Sequence, residues 1–160
     1  MTLATASAID VLVGATTDVF ETMIFRKIVA KGTTWGHATR PKSQIVGSVG
    51  FAGSSTGLVA FHATLDAARD IAAAMVGMPV DEDGVPDALG EVTNMIAGSF
   101  RTRMAQHQDA WAISVPTVTV GSDFYIKSIT SGDRVLVGFT MDAHELFVEL
   151  IITPNAEAAV

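Results

Sequence analysis

The chain has 160 residues, of which 49% are hydrophobic and 17% are charged, so it can bury a substantial core and does not have the composition of a disordered protein. Ten basic residues against seventeen acidic ones give a formal net charge of −7, which excludes a general nucleic-acid-binding surface. No apolar run is long enough for a membrane span, and the N-terminus lacks the basic region of a signal peptide. The absence of cysteine excludes disulfides and thiolate metal sites, and it favours a cytoplasmic location.

The first predicted element is a long amphipathic helix over residues 5–29, where apolar residues recur at helical spacing. We expect this helix to end before Gly32, with basic residues near its negative end. Residues 31–42 then form a loop, or a loop that encloses a short strand. Trp35 lies in this predicted loop, where it is either a core anchor or an interface aromatic.

Two short runs at residues 43–53 and 56–63 have the composition of β-strands. The Gly-Ser-Ser sequence between them supplies a turn, so the two runs predict a β-hairpin. Gly47 and Gly50 interrupt the first strand, which indicates either a bulge or a close neighbour.

Two further helices follow the hairpin. Thr64 is a suitable N-cap for the first, over residues 65–77, which stops at its final glycine. An acidic loop rich in helix breakers separates it from the second, which Pro86 opens and which contains residues 87–100.

The C-terminal part of the chain has strand-like alternation. Four runs carry it, at residues 110–121, 124–130, 134–141 and 145–153. The order of helix, hairpin, two helices and strands predicts one α+β domain over residues 1–160. Its mostly antiparallel sheet has about six strands, with three helices packed on one face.

The helix over residues 87–100 has an ordered polar face. At about 100° per residue, Asp87, Glu91 and Asn94 fall on one line within roughly 60°, and Gly98 continues it. We call Asp87, Glu91 and Asn94 the polar stripe. The opposite side is apolar and predicts a core face, formed by Leu89, Val92, Ile96 and Phe100.

The polar stripe is either a solvated face, which every amphipathic helix has, or a surface that contacts another molecule. Asparagine is a poor helix former, yet Asn94 lies in the middle of this helix without a capping role. Gly90 and Gly98 flank the stripe, where each is costly in a helix but would let a partner's backbone approach closely. These features favour a contact surface.

The spacing Asp87-x3-Glu91-x2-Asn94, followed by the distant Pro116, resembles the signature of the CheC/CheX/FliY family of chemotaxis phosphatases. In that family an Asp or Ser precedes ExxN, and a proline follows at a distance. The hairpin with its following helix, and the strand ISVPTVTVG, are also similar to the family's. The resemblance covers roughly residues 8–152.

The resemblance implies that this chain hydrolyses the aspartyl phosphate of a CheY-like response regulator. Asn94 would position the attacking water, since an amide both donates and accepts hydrogen bonds. Glu91 would pair with the regulator's lysine, while Asp87 and Gly98 would contact the partner and Pro116 would support the backbone. The resemblance implies no metal on this chain, because Mg²⁺ belongs to the phosphorylated partner.

Some members of the family carry two ExxN helices, whereas here the first helix has Glu21 but Ile24 at the asparagine position. A single intact site is most similar to CheX, which implies a homodimer. The run at residues 145–153 supports pairing, because one of its faces is wholly apolar and the other is half apolar. A helix of the same chain could cover this strand instead.

Two alternatives remain from the sequence. The chain could be a non-catalytic module that docks on a receiver domain or forms dimers, or a divergent subunit of a flagellar switch. The intact pair of Glu91 and Asn94 favours a phosphatase. A resident metal site is not expected, because the four histidines have no ligand spacing.

Overall fold

The computed structural model describes residues 3–105, 111–129 and 132–155, which form three helices and a seven-stranded sheet. The helices are α1 (Leu3–Val19), α2 (Leu65–Val76) and α3 (Gly84–Met104). The strands are β1 (Val29–Trp35), β2 (Ser43–Ala52), β3 (Ser55–Ala63), β4 (Ala112–Ile113), β5 (Thr117–Phe124), β6 (Asp133–Met141) and β7 (His144–Pro154).

The sheet has the order β1-β6-β7-β3-β2, and both β4 and β5 pair with the outer edge of β2. Every pairing is antiparallel. Alternate residues of the four central strands face the helices and form the core with them, among them Val49, Phe61, Val137 and Val148. This confirms the predicted α+β fold with helices on one face, although the sheet has one strand more than expected.

Local signals located the hairpin and α2 correctly. Strands β2 and β3 pair from Ile45 to Ala52 around the predicted turn. The Thr64 hydroxyl accepts a hydrogen bond from the Ala67 N–H at 3.1 Å, and Gly77 takes the left-handed conformation that ends α2. The predictions of the N-cap and of the terminating glycine are therefore confirmed.

The predicted helix over residues 5–29 is too long. Regular α-helix ends at Val19, a π-helical turn follows over Phe20–Ile24, and Phe25 has the left-handed backbone that stops the helix. The chain then enters β1 at Val29, and residues 31–35 are the short strand that the sequence allowed within the predicted loop. Pairing with β6 outweighs the local helical pattern here. The paired residues are about a hundred positions apart along the chain, so the local sequence could not indicate that this strand begins at Val29.

The predicted strand over residues 110–121 is interrupted. β4 ends at Ile113 and β5 begins at Thr117, because Pro116 has no backbone N–H to donate to a sheet. The run at residues 124–130 was also wrongly predicted as a strand. Phe124 ends β5, residues 125–129 form no strand, and residue 130 lies outside the described residues.

Two connections cover the face of the sheet opposite the helices: residues 36–42, between β1 and β2, and residues 125–129, after β5. We call them the crossing segments. Each leads from one side of the sheet towards the other, because β1 and β6 lie at the opposite side from β2 and β5. They contact each other where the Arg40 guanidinium lies 5.2 Å from the centre of the Tyr125 ring. Both faces of the central strands are therefore buried.

A row of buried polar side chains lies on this second face, with one residue from each of four adjacent strands. The Ser43 hydroxyl lies 3.0 Å from His62 Nδ1, and His62 Nε2 lies 3.0 Å from Glu149 Oε2. Arg134 Nε donates to Glu149 Oε1 at 2.9 Å, and its Nη1 donates to the carbonyl oxygen of Gly36 at 2.8 Å. The row thus ties a crossing segment to the sheet.

Burial would raise the pKa of the Glu149 carboxyl, but hydrogen bonds from His62 and Arg134 outweigh this effect and hold the pKa below its ordinary value. Glu149 is therefore ionised within the row. Because a carboxylate only accepts hydrogen bonds, the ring proton of His62 that faces it lies on Nε2.

Candidate functional site

Helix α3 carries the polar stripe and begins two residues before the predicted start. The Gly84 N–H donates to Asp81 Oδ1 at 2.9 Å, so Asp81 satisfies the first free N–H and Pro86 is the third residue of the helix. Asp87 lies in the first turn, where its negative charge is favoured by the helix dipole, but the helix terminus does not depend on it for capping.

The inner side of α3 lies directly against β2. Leu89, Val92, Ile96 and Phe100 are buried, which confirms the predicted core face. Thr93 is fully buried above Gly47, where a Cβ on the glycine would lie 2.0 Å from the Thr93 hydroxyl oxygen. The predicted close neighbour of Gly47 is therefore α3, and this contact fixes the distance between helix and sheet beside Asn94.

The C-terminal half of α3 is held against α1. Arg103 forms an ion pair with Asp18 across the two helices. Gly14 makes room for this arginine, because a Cβ at that position would lie 2.9 Å from Arg103 Nη1. Both ends of the helix that bears the stripe are thus fixed by specific contacts.

The polar stripe projects from the outer surface of α3. Asp87 and Glu91 are exposed and Asn94 is half-buried. No other described residue forms a hydrogen bond or an ion pair with these three side chains. Gly98, one turn beyond Asn94, is open, since a Cβ there would have no atom within 4 Å. The carboxylates and the amide of the stripe therefore take no part in the hydrogen bonding of the described fold.

Gly90 does not flank the stripe as an open position, contrary to the sequence-based expectation. It is buried, and a Cβ on it would lie 3.2 Å from Val118 Cγ2 and 3.9 Å from Pro116 Cγ. Gly90 instead lets the start of β5 and the segment before it approach α3. Pro116 thus lies against the helix one turn before Asn94, a relation that only the tertiary structure reveals.

The first helix carries no second stripe. Glu21 is exposed, but Ile24 is fully buried in the π-helical turn. The position that would hold a second asparagine is therefore part of the core.

A protein-family model described as chemotaxis phosphatase CheX matches residues 45–140, more than half of the chain. The matched range contains the polar stripe and Pro116. This chain belongs to the CheX family. No curated protein matches the CheX-family chain in sequence.

Solved structures have the same fold as this CheX-family chain. It is similar to the chemotaxis protein CheX from Desulfovibrio desulfuricans, with a TM-score of 0.86 and 25% identity over 92% of this chain and 99% of that one. CheX from Vibrio vulnificus gives a TM-score of 0.84 with 19% identity, over 92% of this chain and 99% of that one. A CheX–CheY–BeF₃–Mg²⁺ complex from Borrelia burgdorferi gives a TM-score of 0.79 with 22% identity, over 91% and 97% of the chains.

Across the described parts of the chain, no helix is long and apolar enough to cross a membrane. The same residues contain no group of three histidine or carboxylate side chains placed to hold a metal ion.

Proposed function

We propose that this chain accelerates hydrolysis of the aspartyl phosphate of a CheY-like response regulator in the cytoplasm. The observation that carries the proposal is the pair of Glu91 and Asn94 on the outer surface of α3, without internal partners, in a chain of the chemotaxis phosphatase CheX family. A CheX from Borrelia burgdorferi forms a complex with CheY, BeF₃ and Mg²⁺, which supports a receiver domain as the partner.

Asn94 positions the attacking water in this proposal. Phosphoryl transfer depends mostly on alignment and charge stabilisation, so a side chain that holds a water in line with the breaking bond can accelerate it. The Asn94 amide oxygen accepts a hydrogen bond from that water. Water oxygen bonds to phosphorus, the bond to the regulator's aspartate breaks, and phosphate leaves with one water proton released. The Mg²⁺ that neutralises the phosphoryl charge is bound by the regulator.

Glu91 fixes the angle at which the helix enters the regulator's site, by pairing with the regulator's lysine. It lies three residues before Asn94 on the same helix face, so an ion pair at one position sets the location of the amide at the other. Asp87 extends the negative surface by one turn and favours a cationic approach. Gly98 leaves space for the partner's backbone beside Asn94.

The rival proposal is a module that docks on a receiver or forms dimers without hydrolysis. The two are separated by purified receiver domains, phosphorylated with a small phosphodonor and followed for loss of phosphate. We expect Asn94→Ala to fold and bind normally but to lose hydrolysis by about 100-fold, the usual cost of one positioned polar group. Glu145→Gln, which neutralises an exposed side chain on β7, should retain the parent rate. An Asn94→Ala variant as fast as the parent would reject the water-positioning role.

We also propose a homodimer, because the chain has a single intact site like CheX, but the further reason taken from the run at residues 145–153 was wrong. β7 is an interior strand between β6 and β3, and its second face is buried beneath the crossing segments. The sheet has an exposed edge at β1, which pairs only with β6 among the described residues, and another at β5 on its opposite side. All seven residues of β1 are exposed, including Val29 and Trp35. A second chain that pairs along β1 would cover this edge.

A further inference from the structure

An exposed valine lies on a firmly anchored backbone beside the polar stripe. The side chain of Val115 is 83% exposed, in the short segment between β4 and β5. On one side of it, the Ser114 N–H donates to the Gly50 carbonyl at 2.8 Å, and the Ser114 hydroxyl accepts from the Gly50 N–H at 3.0 Å. On the other side, Pro116 has a fixed φ and lies against α3. Val115 is therefore held outward by its neighbours.

The location of Val115 follows from the contact at Gly90. Pro116 lies against α3 at this glycine, which directly precedes Glu91 and lies one turn before Asn94. Val115 directly precedes Pro116, and the Cα atoms of the two residues are about 3.8 Å apart. A molecule that engages Glu91 and Asn94 from outside therefore approaches α3 next to the segment that carries Val115.

Such a residue suits an interface for two physical reasons. Valine has a single side-chain torsion and its backbone is already fixed here, so burying it costs little conformational entropy. Interfaces also combine an apolar anchor with adjacent charged or polar contacts, which at this site are the carboxylates of Asp87 and Glu91. The exposed surface is thus complementary to a partner with an apolar patch next to a cationic group.

We propose that Val115 is an apolar docking contact that sets the affinity for the receiver domain without taking part in the hydrolytic step. The inference rests on the proposed function, since the cationic group is the regulator's lysine that pairs with Glu91. It predicts that the receivers this chain binds carry an apolar side chain beside that lysine. Receivers with a charged side chain there are expected to bind weakly.

The test measures both binding and turnover. Purified receiver domains loaded with beryllofluoride and Mg²⁺ report the dissociation constant, and the phosphorylated domains report hydrolysis. We expect Val115→Ser to raise the dissociation constant about tenfold and Val115→Asp to raise it further, with the rate at saturating receiver unchanged. The matched control is Ile129→Ser, which removes a side chain that is 95% exposed on the opposite face of the sheet and should change neither quantity.

The outcomes separate the two proposals. If the parent binds and hydrolyses but Val115→Ser binds equally well, the docking role is rejected and the phosphatase function stands. If Val115→Ser weakens binding while the parent hydrolyses nothing, the docking role is supported and the phosphatase function is rejected. A lower saturating rate with unchanged affinity would place Val115 in the reaction itself and overturn the inference. A parent that binds no receiver overturns both proposals.

Discussion

Replacing Glu149 with glutamine keeps the size of this side chain but removes the negative charge that neutralises Arg134 in the sheet. The two side chains are 4% and 2% exposed, so water cannot take over the role of the carboxylate. The amide oxygen of glutamine can still accept a hydrogen bond from Arg134 Nε. What is lost is the charge together with the hydrogen bond from His62, because the NH₂ group of the glutamine faces the N–H of the His62 ring at Nε2. The guanidinium remains buried with only neutral acceptors around it.

Breaking a buried ion pair by removing one partner typically lowers the free energy of unfolding by about 3–5 kcal/mol. Because the hydrogen bond from Arg134 Nε is retained, we expect a loss of about 3 kcal/mol for Glu149→Gln. The free energy of unfolding of an ordinary domain is about 5–15 kcal/mol, so the variant should lose a large fraction of its stability. With a urea slope of about 2 kcal/mol/M, the unfolding midpoint should fall by about 1.5 M. Urea titration at pH 7 measures this directly.

The pH dependence supplies a second test. The pKa of Glu149 is lowered in the folded chain, so its contribution to stability is complete above its ordinary value of 4.5 and is lost as the pH falls through the folded value. The free energies of unfolding of the parent and of Glu149→Gln should therefore differ most at neutral pH and become similar in acid. Glu145→Gln, at an exposed position on the same strand, should stay within about 0.5 kcal/mol of the parent.

Either of two results would refute the expected role of Glu149. One is a loss of less than about 1 kcal/mol in the free energy of unfolding of Glu149→Gln at pH 7. The other is a difference in unfolding free energy between the parent and Glu149→Gln that does not become smaller in acid. A double variant with Arg134→Gln adds a further check. It should be less destabilised than the sum of the single variants, because it leaves no unpaired charge in the sheet.

Two further predictions concern the partner and the assembly. Glu91→Lys should weaken binding of a beryllofluoride-loaded receiver by at least about tenfold, because it places like charges together, and Glu91→Gln should weaken it less; equal affinity of all three forms would reject the lysine pair. Light scattering at micromolar concentration should give twice the 16.7 kDa chain mass, about 33 kDa, whereas a mass of 16.7 kDa on dilution and concentration alike would exclude the dimer.

The sequence located those elements whose signals are local. Thr64 caps α2 through its own hydroxyl and Gly77 ends it, so neither depends on distant residues. The line formed by Asp87, Glu91 and Asn94 follows from helix geometry alone. These features could be predicted because residues a few positions apart determine them.

The remainder depends on residues that are distant in sequence. The end of α1 is set by the left-handed backbone at Phe25, a position where nothing in the local sequence favours this conformation. The role of Gly90 is visible only once Val118 and Pro116 lie against it, because the helix pattern alone placed this glycine beside the stripe as an open position. The alternating pattern of β7 places Glu149 on the face opposite the helices, and this pattern alone does not predict that the face is buried. The crossing segments that cover it come from elsewhere in the chain.

Pairing of β1 with β6 has a consequence for how the chain folds. Val29 pairs with Thr140, a separation of 140 − 29 = 111 residues, so the sheet cannot close until almost the whole chain has left the ribosome. Contacts of such long range slow folding, because the loop they close must be ordered first. Until β6 emerges, β1 has no strand to pair with and is open to another nascent chain. When several ribosomes translate one mRNA, the neighbouring nascent chains could therefore aggregate through β1 before folding is complete.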